Sequence, residues 1–200
     1  MKKNKVFKIG ILQLQGSKEE HQKSLQNLKK IKSYQNINII PVKQENDLED
    51  IKGLILPGGE STAIGKLLIK KNLHKKLIKK IKNNLAVWGT CAGAILLAKK
   101  GSDFSMKVLE IEIARNAFGR QIDSFCKKVN IKGIGLFEGV FIRAPRILKH
   151  SSKVEVLAFL DQEPIFVRQG NILASTFHPE LTEDIRVHKF FVDLIREQVT

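Results

Sequence analysis

Leu85-Ala86-Val87-Trp88-Gly89-Thr90-Cys91-Ala92-Gly93-Ala94-Ile95-Leu96-Leu97-Ala98 is the stretch that decides how this chain folds. Leu85 to Trp88 is an apolar run suited to a buried strand, Gly89 breaks it, and Ala92 to Ala98 continues as an apolar helix. A buried strand that passes through a tight turn straight into a helix is the building unit of a parallel sheet, whose neighbouring strands need crossover connections.

Toward the N-terminus the same unit recurs. Val6 to Leu14 reads as a buried strand, followed by Gln15-Gly16-Ser17 and a helical stretch from about Lys18 to Lys32. Ile37 to Val42 is a second short strand, and Gly53 to Leu56 is a third that ends abruptly at Pro57-Gly58-Gly59. Helices are expected over roughly Thr62 to Lys82. Toward the C-terminus the character changes. Val108 to Ile113, Phe125 to Ile131, Val140 to Ile142, Val154 to Phe159, Ile165 to Arg168 and Ile172 to Phe177 read as strands with short polar connections, and Gln169-Gly170-Asn171 as a tight turn between the last two. A closing helix is expected from about Thr182 to Glu197, with Thr182 as N-cap and Glu183 and Asp184 in its first turn. The reading is an α/β chain in three layers: an open, mostly parallel sheet, helices on both faces, and antiparallel strands in the C-terminal half. With 200 residues, 42% of them hydrophobic, and no interior linker or repeat, one domain spanning residues 1–200 is expected.

The formal charge of +15 raises the question of nucleic acid or another acidic partner. Its distribution argues for a solvated face instead. Between Lys66 and Lys82 the lysines alternate with Leu67, Leu68, Leu73, Leu77, Ile78 and Ile81 at helical spacing, and no basic patch carries interleaved aromatics. A basic binding module remains the non-enzyme alternative. No run of eighteen uncharged apolar residues and no signal-like N-terminal segment occurs, so a cytoplasmic chain without a membrane span is expected. Cys91 and Cys126 form no metal-ligand or disulfide pattern, which leaves reduced thiols and lets one be a nucleophile.

Cys91 is the candidate. Gly89-Thr90-Cys91-Ala92-Gly93 has the form of a nucleophile elbow with Cys in place of Ser: two glycines let strand and helix pack closely around a strained turn that holds the side chain out at the top of the sheet. Amide groups at the start of the following helix favour a thiolate there. The bland alternative, a small core residue, is accepted for Cys126, whose neighbours Ser124-Phe125-Cys126-Lys127 include no turn glycine. A thiolate needs a proton carrier, and His178 stands directly after an apolar strand in Phe177-His178-Pro179-Glu180. Pro179 stiffens the turn and leaves Glu180 close enough to orient the imidazole. His21, His74 and His188 fall within helical segments and His150 in a polar connection, so these read as surface or satisfied residues. Leu56-Pro57-Gly58-Gly59-Glu60-Ser61-Thr62 ends a strand at the edge where open α/β sheets bind ligands. Backbone N–H groups there, that of Gly59 among them, suit the oxyanion formed when Cys91 attacks a carbonyl, with the N–H of Ala92 as second donor. Phosphate binding ranks lower, because the loop lacks the lysine of a P-loop and the spacing of a dinucleotide site.

Together, Pro-Gly-Gly-Glu-Ser-Thr from Pro57, Gly-Thr-Cys-Ala-Gly from Gly89 and His-Pro-Glu from His178 resemble the class I triad glutamine amidotransferases. Leu14-Gln15-Gly16, Arg115-Asn116-Ala117-Phe118-Gly119-Arg120-Gln121, Gly139-Val140-Phe141-Ile142-Arg143-Ala144-Pro145 and the stretch from Phe177 to Asp184 narrow the likeness to the glutaminase subunits of bacterial-type pyridoxal 5'-phosphate synthase, over about Val6 to Val192. The resemblance implies a flavodoxin-like sheet and hydrolysis of L-glutamine to glutamate, with ammonia passed to a synthase subunit. It implies no cofactor and no metal on this chain, the pyridoxal phosphate being a product of the complex. It places nucleophile, base and orienting acid on Cys91, His178 and Glu180, and glutamine contacts on Gly59, Glu60, Ser61, Arg115, Ile142 and Arg143. The segment Ser102 to Glu112 departs from the family pattern. Glutaminases of other pathways, such as histidine biosynthesis, and peptidase-like relatives with the same elbow are the enzyme alternatives.

Overall fold

The computed structural model describes residues 6–115 and 124–199 of the chain. Within them the first half of the sequence lays down parallel strands: β1 (Phe7–Leu12), β2 (Ile37–Val42), β3 (Ile51–Leu56) and β4 (Ala86–Thr90). The helices between them are α1 (Lys18–Lys29), α2 (Ser61–Lys70) and α3 (Leu73–Lys82), and α4 (Ala92–Leu97) follows β4. Late in the chain come β10 (Glu155–Leu160), β11 (Glu163–Gln169), β12 (Ile172–Ser175) and α5 (Arg186–Val199). These strands form one seven-stranded sheet in the order β10-β11-β12-β4-β3-β1-β2. It is parallel from β2 to β12 and antiparallel from β12 to β10.

Strand alternation sends side chains to two cores. Leu54, Leu56, Val87 and Ala174 point to a layer filled by α2, α3 and α4, while Ile55, Trp88 and Leu173 point to one filled by α1 and α5. Both faces are covered, which is why these strands read as continuous apolar runs. The lysine-rich helix α3 behaves as its pattern dictates: Leu73, Leu77 and Ile81 are buried and the lysines turn outward. Among the described residues no helix is long and apolar enough to cross a membrane.

The middle of the chain is richer in strands than expected. Ala98 leaves the expected helix to open β5 (Ala98–Lys100), which joins β6 (Leu109–Ala114) and β9 (Arg146–His150) in a small sheet. Gly135 and not Val140 begins β8 (Gly135–Ile142), which pairs with β7 (Ser124–Ile131) as an eight-residue ladder. The closing helix starts at Arg186 and not at Thr182. Thr182 instead donates its hydroxyl to the carbonyl of Pro179 at 3.0 Å, ending a short 3-10 turn, and Asp184 accepts the backbone N–H of Arg186. Residues Asn116 to Gln121 of the arginine-asparagine motif lie outside the described residues.

Candidate active site

Four neighbouring strands, β12, β4, β3 and β1, run parallel, so their C-terminal ends open on one edge of the sheet. Each delivers one part of the site: β1 leads to Gln15, β3 to the Gly58-Gly59 loop, β4 to Cys91 and β12 to His178. That edge is where open α/β sheets place their ligands.

The elbow at Cys91 is strained as the sequence implies. Its backbone has φ +46° and ψ −100°, a conformation that side-chain-bearing residues rarely adopt. The packing that enforces it depends on the two glycines. A Cβ on Gly89 would lie 2.4 Å from the carbonyl carbon of Gly93, and one on Gly93 would lie 2.1 Å from the carbonyl oxygen of Leu56. The N–H of Cys91 donates to the carbonyl of Ser175 at 2.8 Å, tying the elbow to β12, and the Trp88 indole donates to the Ser175 hydroxyl at 3.3 Å.

His178 leaves the end of β12 with its N–H bound to the carbonyl of Val140 at 2.8 Å, so β8 fixes its backbone. Its Nδ1 donates to Oε1 of Glu180 at 2.8 Å, and the same oxygen accepts the hydroxyl of Ser17 at 2.6 Å. Ser17 precedes α1 but makes no cap bond with its side chain, because that hydroxyl is committed to Glu180. Burial pulls the imidazole toward neutrality, yet the side chains of Cys91 and Glu180 outweigh it and push its pKa up to about 10. Burial likewise opposes the charge of Glu180, but His21, the bond from His178 and the Ser17 hydroxyl bring its pKa down to about 2. The arrangement suits an anionic acid holding an imidazolium.

The glycine loop is shaped by its neighbours. Gly16 at φ +99° and Gly58 touch backbone to backbone, the N–H of Ser17 reaching the carbonyl of Gly58 at 3.0 Å. A Cβ on Gly58 would lie 2.3 Å from Cε1 of His178, so the missing side chain there is the space that the imidazole occupies. Gln15 accepts the N–H of Glu60 at 2.9 Å. The Glu60 carboxylate caps α2, accepting the N–H groups of Thr62 and Ala63 at 2.9 and 2.6 Å, and lies 3.4 Å from the Arg115 guanidinium. Those amide bonds hold its pKa below the ordinary carboxylate range.

All six expected glutamine contacts, Gly59, Glu60, Ser61, Arg115, Ile142 and Arg143, line one pocket of about 390 Å³ with Cys91 and His178. Among the described residues, Ile95 is the one further wall. Glu180 and Ala92 are buried behind it, Ala92 as the first residue of α4. Arg143 sits at φ +43°, a second strained backbone position at the pocket mouth. A larger cleft, of about 710 Å³, lies along the lysine-rich helices between Ile69 and Lys79 and shares no residue with this one. Cys126 is exposed on β7, away from the core that its expected role required.

Reading the sequence missed a cluster behind the acid. His21 and His188, expected as surface or satisfied residues, are fully buried side by side, Nδ1 of His21 lying 3.0 Å from Nε2 of His188. The signal was present in the spacing. His21 aligns with Leu25 and Leu28, and His188 with Phe191, Val192 and Ile195, on the buried faces of α1 and α5.

Known proteins line up with this chain over nearly its whole length. A model of the SNO glutamine amidotransferase family matches residues 11–197. A pyridoxal 5'-phosphate synthase subunit PdxT of Thermotoga maritima is 44% identical over 195 residues, covering 95% of this chain and all of the relative. The same subunit of Thermus thermophilus is 46% identical over 191 residues, covering 93% and 96%. Among solved structures, a glutamine amidotransferase superposes with a TM-score of 0.87 at 45% identity, covering 94% of this chain and 98% of that one. The Thermotoga maritima PurLQS structure superposes at 0.70 with 16% identity, covering 98% and 100%, a likeness of fold alone.

Proposed function

Given that the chain belongs to the SNO glutamine amidotransferase family, we propose that it is the glutaminase subunit of a pyridoxal 5'-phosphate synthase: it hydrolyses L-glutamine to glutamate and hands the ammonia to a synthase subunit. The work is done in the cytoplasm. One observation carries the reading. Cys91 and His178 end adjacent parallel strands and face one pocket, with Glu180 bound to the far nitrogen of the imidazole.

In this mechanism Cys91 Sγ attacks the side-chain amide carbon of glutamine, a C–S bond forms, and the carbonyl oxygen becomes an oxyanion. The N–H of Ala92, left without a helical partner at the start of α4, and the Gly59 loop receive that charge. His178, held as imidazolium by Glu180, gives its Nε2 proton to the departing nitrogen as the C–N bond breaks, releasing ammonia and leaving a γ-glutamyl thioester. The imidazole then takes a proton from water, whose oxygen attacks the thioester. The C–S bond breaks and glutamate departs. Arg115 and Arg143 suit the α-carboxylate of the substrate, and Glu60 its α-ammonium.

Glutamate release by the chain mixed with its synthase subunit tests this. Cys91→Ala is expected to abolish release and to refuse a glutamine-analogue electrophile; turnover retained in that variant overturns the assignment.

A further inference from the structure

The buried histidine pair lies against the outer side of the acid. Oε1 of Glu180 is shared by His178 and Ser17, whereas Oε2 is buried and has no hydrogen-bond partner among the described residues. Nε2 of His21 lies 3.6 Å from Oε2, and that same nitrogen lies 3.2 Å from the hydroxyl oxygen of Thr90, the residue before Cys91. The other nitrogen of His21 faces Nε2 of His188, and Nδ1 of His188 is buried with no partner among the described residues.

These contacts select one proton arrangement. If His21 carried its proton on Nδ1 and gave it to His188, then His188 would bury an N–H with no acceptor, and a lone pair of His21 would face the Glu180 carboxylate. Both are costly in a dry interior. With the protons reversed, His188 Nε2–H donates to His21 Nδ1, and His21 Nε2–H points at Thr90 and Glu180. Only a lone pair of His188 then goes unmatched, a lesser penalty than an orphaned N–H. Trp88 holds both rings in place edge-on, with centroids 5.4 Å from His21 and 5.0 Å from His188.

We propose that His21 is a positioning residue for the glutaminase reaction, its tautomer set by His188, and that its Nε2–H steadies both the unshared oxygen of Glu180 and the Thr90 step into the Cys91 elbow. The inference rests on the glutaminase reading above. The groups facing His21 are Glu180 and His178 from the turn after β12, His188 from α5 and Glu20 from its own helix. Burial pushes both members of the pair below the ordinary histidine range, opposed at His21 by the carboxylates of Glu180 and Glu20, and so favours neutral rings that act through N–H polarity.

Two substitutions at each position separate polarity from packing, because leucine fills the space while the amide of glutamine places an N–H near the imidazole Nε2. In the complex with the synthase subunit, His21→Leu is expected to lower kcat about tenfold, with KM for glutamine unchanged, since a donor facing a charged acceptor is lost. The alkaline limb of its kcat profile, which reports protonated His178, moves to lower pH because a loosened Glu180 supports the imidazolium less well. His188→Leu acts in the same direction. His21→Gln and His188→Gln restore most of kcat and the position of the limb. A folded His21→Leu with the wild-type kcat and pH profile, or a His21→Gln as impaired as the leucine variant, overturns the proposal. Nitrogen-15 spectra of the unsubstituted protein test the tautomer without any variant: His21 protonated on Nε2 supports the proposal, and His21 protonated on Nδ1 overturns it. Cys91→Ala run beside these samples keeps the two readings apart, since its inactivity is required by the reaction itself whatever the histidine variants do.

Discussion

A methyl group at position 93 has no room. It would sit 2.1 Å from the carbonyl oxygen of Leu56 and 2.9 Å from its carbonyl carbon, against about 3.4 Å for ordinary contact, and backbone cannot swing aside as a side-chain end can. In Gly93→Ala, α4 must therefore retreat from β3 by more than an ångström. Overpacking of this kind costs about 1–3 kcal/mol, which in a chain of this size lowers Tm by roughly 2–4 °C for each kcal/mol. The effect on catalysis is larger, because α4 carries Cys91 at its head while the receiving loop stays with β3. A displacement of that size costs on the order of a hundredfold in turnover. Gly135→Ala is the comparison: Gly135 has φ +87° and open space around its missing Cβ, so the change strains the backbone without moving the site. It should cost about 1 kcal/mol and leave glutamate release unchanged. Thermal denaturation and glutamate release with the synthase subunit are measured on both. Wild-type turnover in a folded Gly93→Ala, or equal loss of activity in the two, refutes the argument that close packing at the elbow aims the sulfur.

The charge pair has a stability signature. Glu180, depressed from 4.5 to about 2, contributes stability above pH 4.5 that is lost as pH falls through about 2. His178, raised from 6.5 to about 10, contributes stability below pH 6.5 that is lost as pH rises through about 10. The Tm difference between the wild type and Glu180→Gln should therefore be widest between pH 4.5 and 6.5 and shrink on either side; a difference independent of pH would refute it. Arg115→Ala should raise KM for glutamine about tenfold with little change in kcat, because a carboxylate contact made equally in ground and transition states affects binding alone. A fall in kcat at constant KM would assign Arg115 to the chemistry instead.

Much of the candidate site's geometry was legible because each part carries a local backbone requirement. Gly89 and Gly93 announce close packing, Gly58 and Gly59 a turn at a strand end, and Pro179 a stop beside His178, and all of these lie within a few residues of what they position. The central strands were legible for a related reason, since burial on both faces leaves apolar runs that no surface strand needs. What escaped depends on partners far along the chain. The strand β9, Arg146–His150, has one buried residue and is made a strand by pairing with β6, so its own sequence carries little pattern. Thr182 looks like a helix cap but finds the carbonyl of Pro179 first. His21 and His188 lie 167 residues apart in sequence, and only the packing of α1 against α5 brings the two polar rings together. Ser17 had a local role open to it, capping α1, and was claimed by Glu180 163 residues away.

The insertion of β12 between β4 and β11 also dictates when the protein can first act during its own synthesis. Residues up to Leu97 supply the sulfur, the receiving loop and the helix that stiffens it, while the imidazole arrives only with the stretch that pairs Trp88 with Leu173 and Thr90 with Ser175. On the proposed mechanism, some eighty further codons are translated after the helix that follows the sulfur before the imidazole is in place, and ammonia release waits for that late strand.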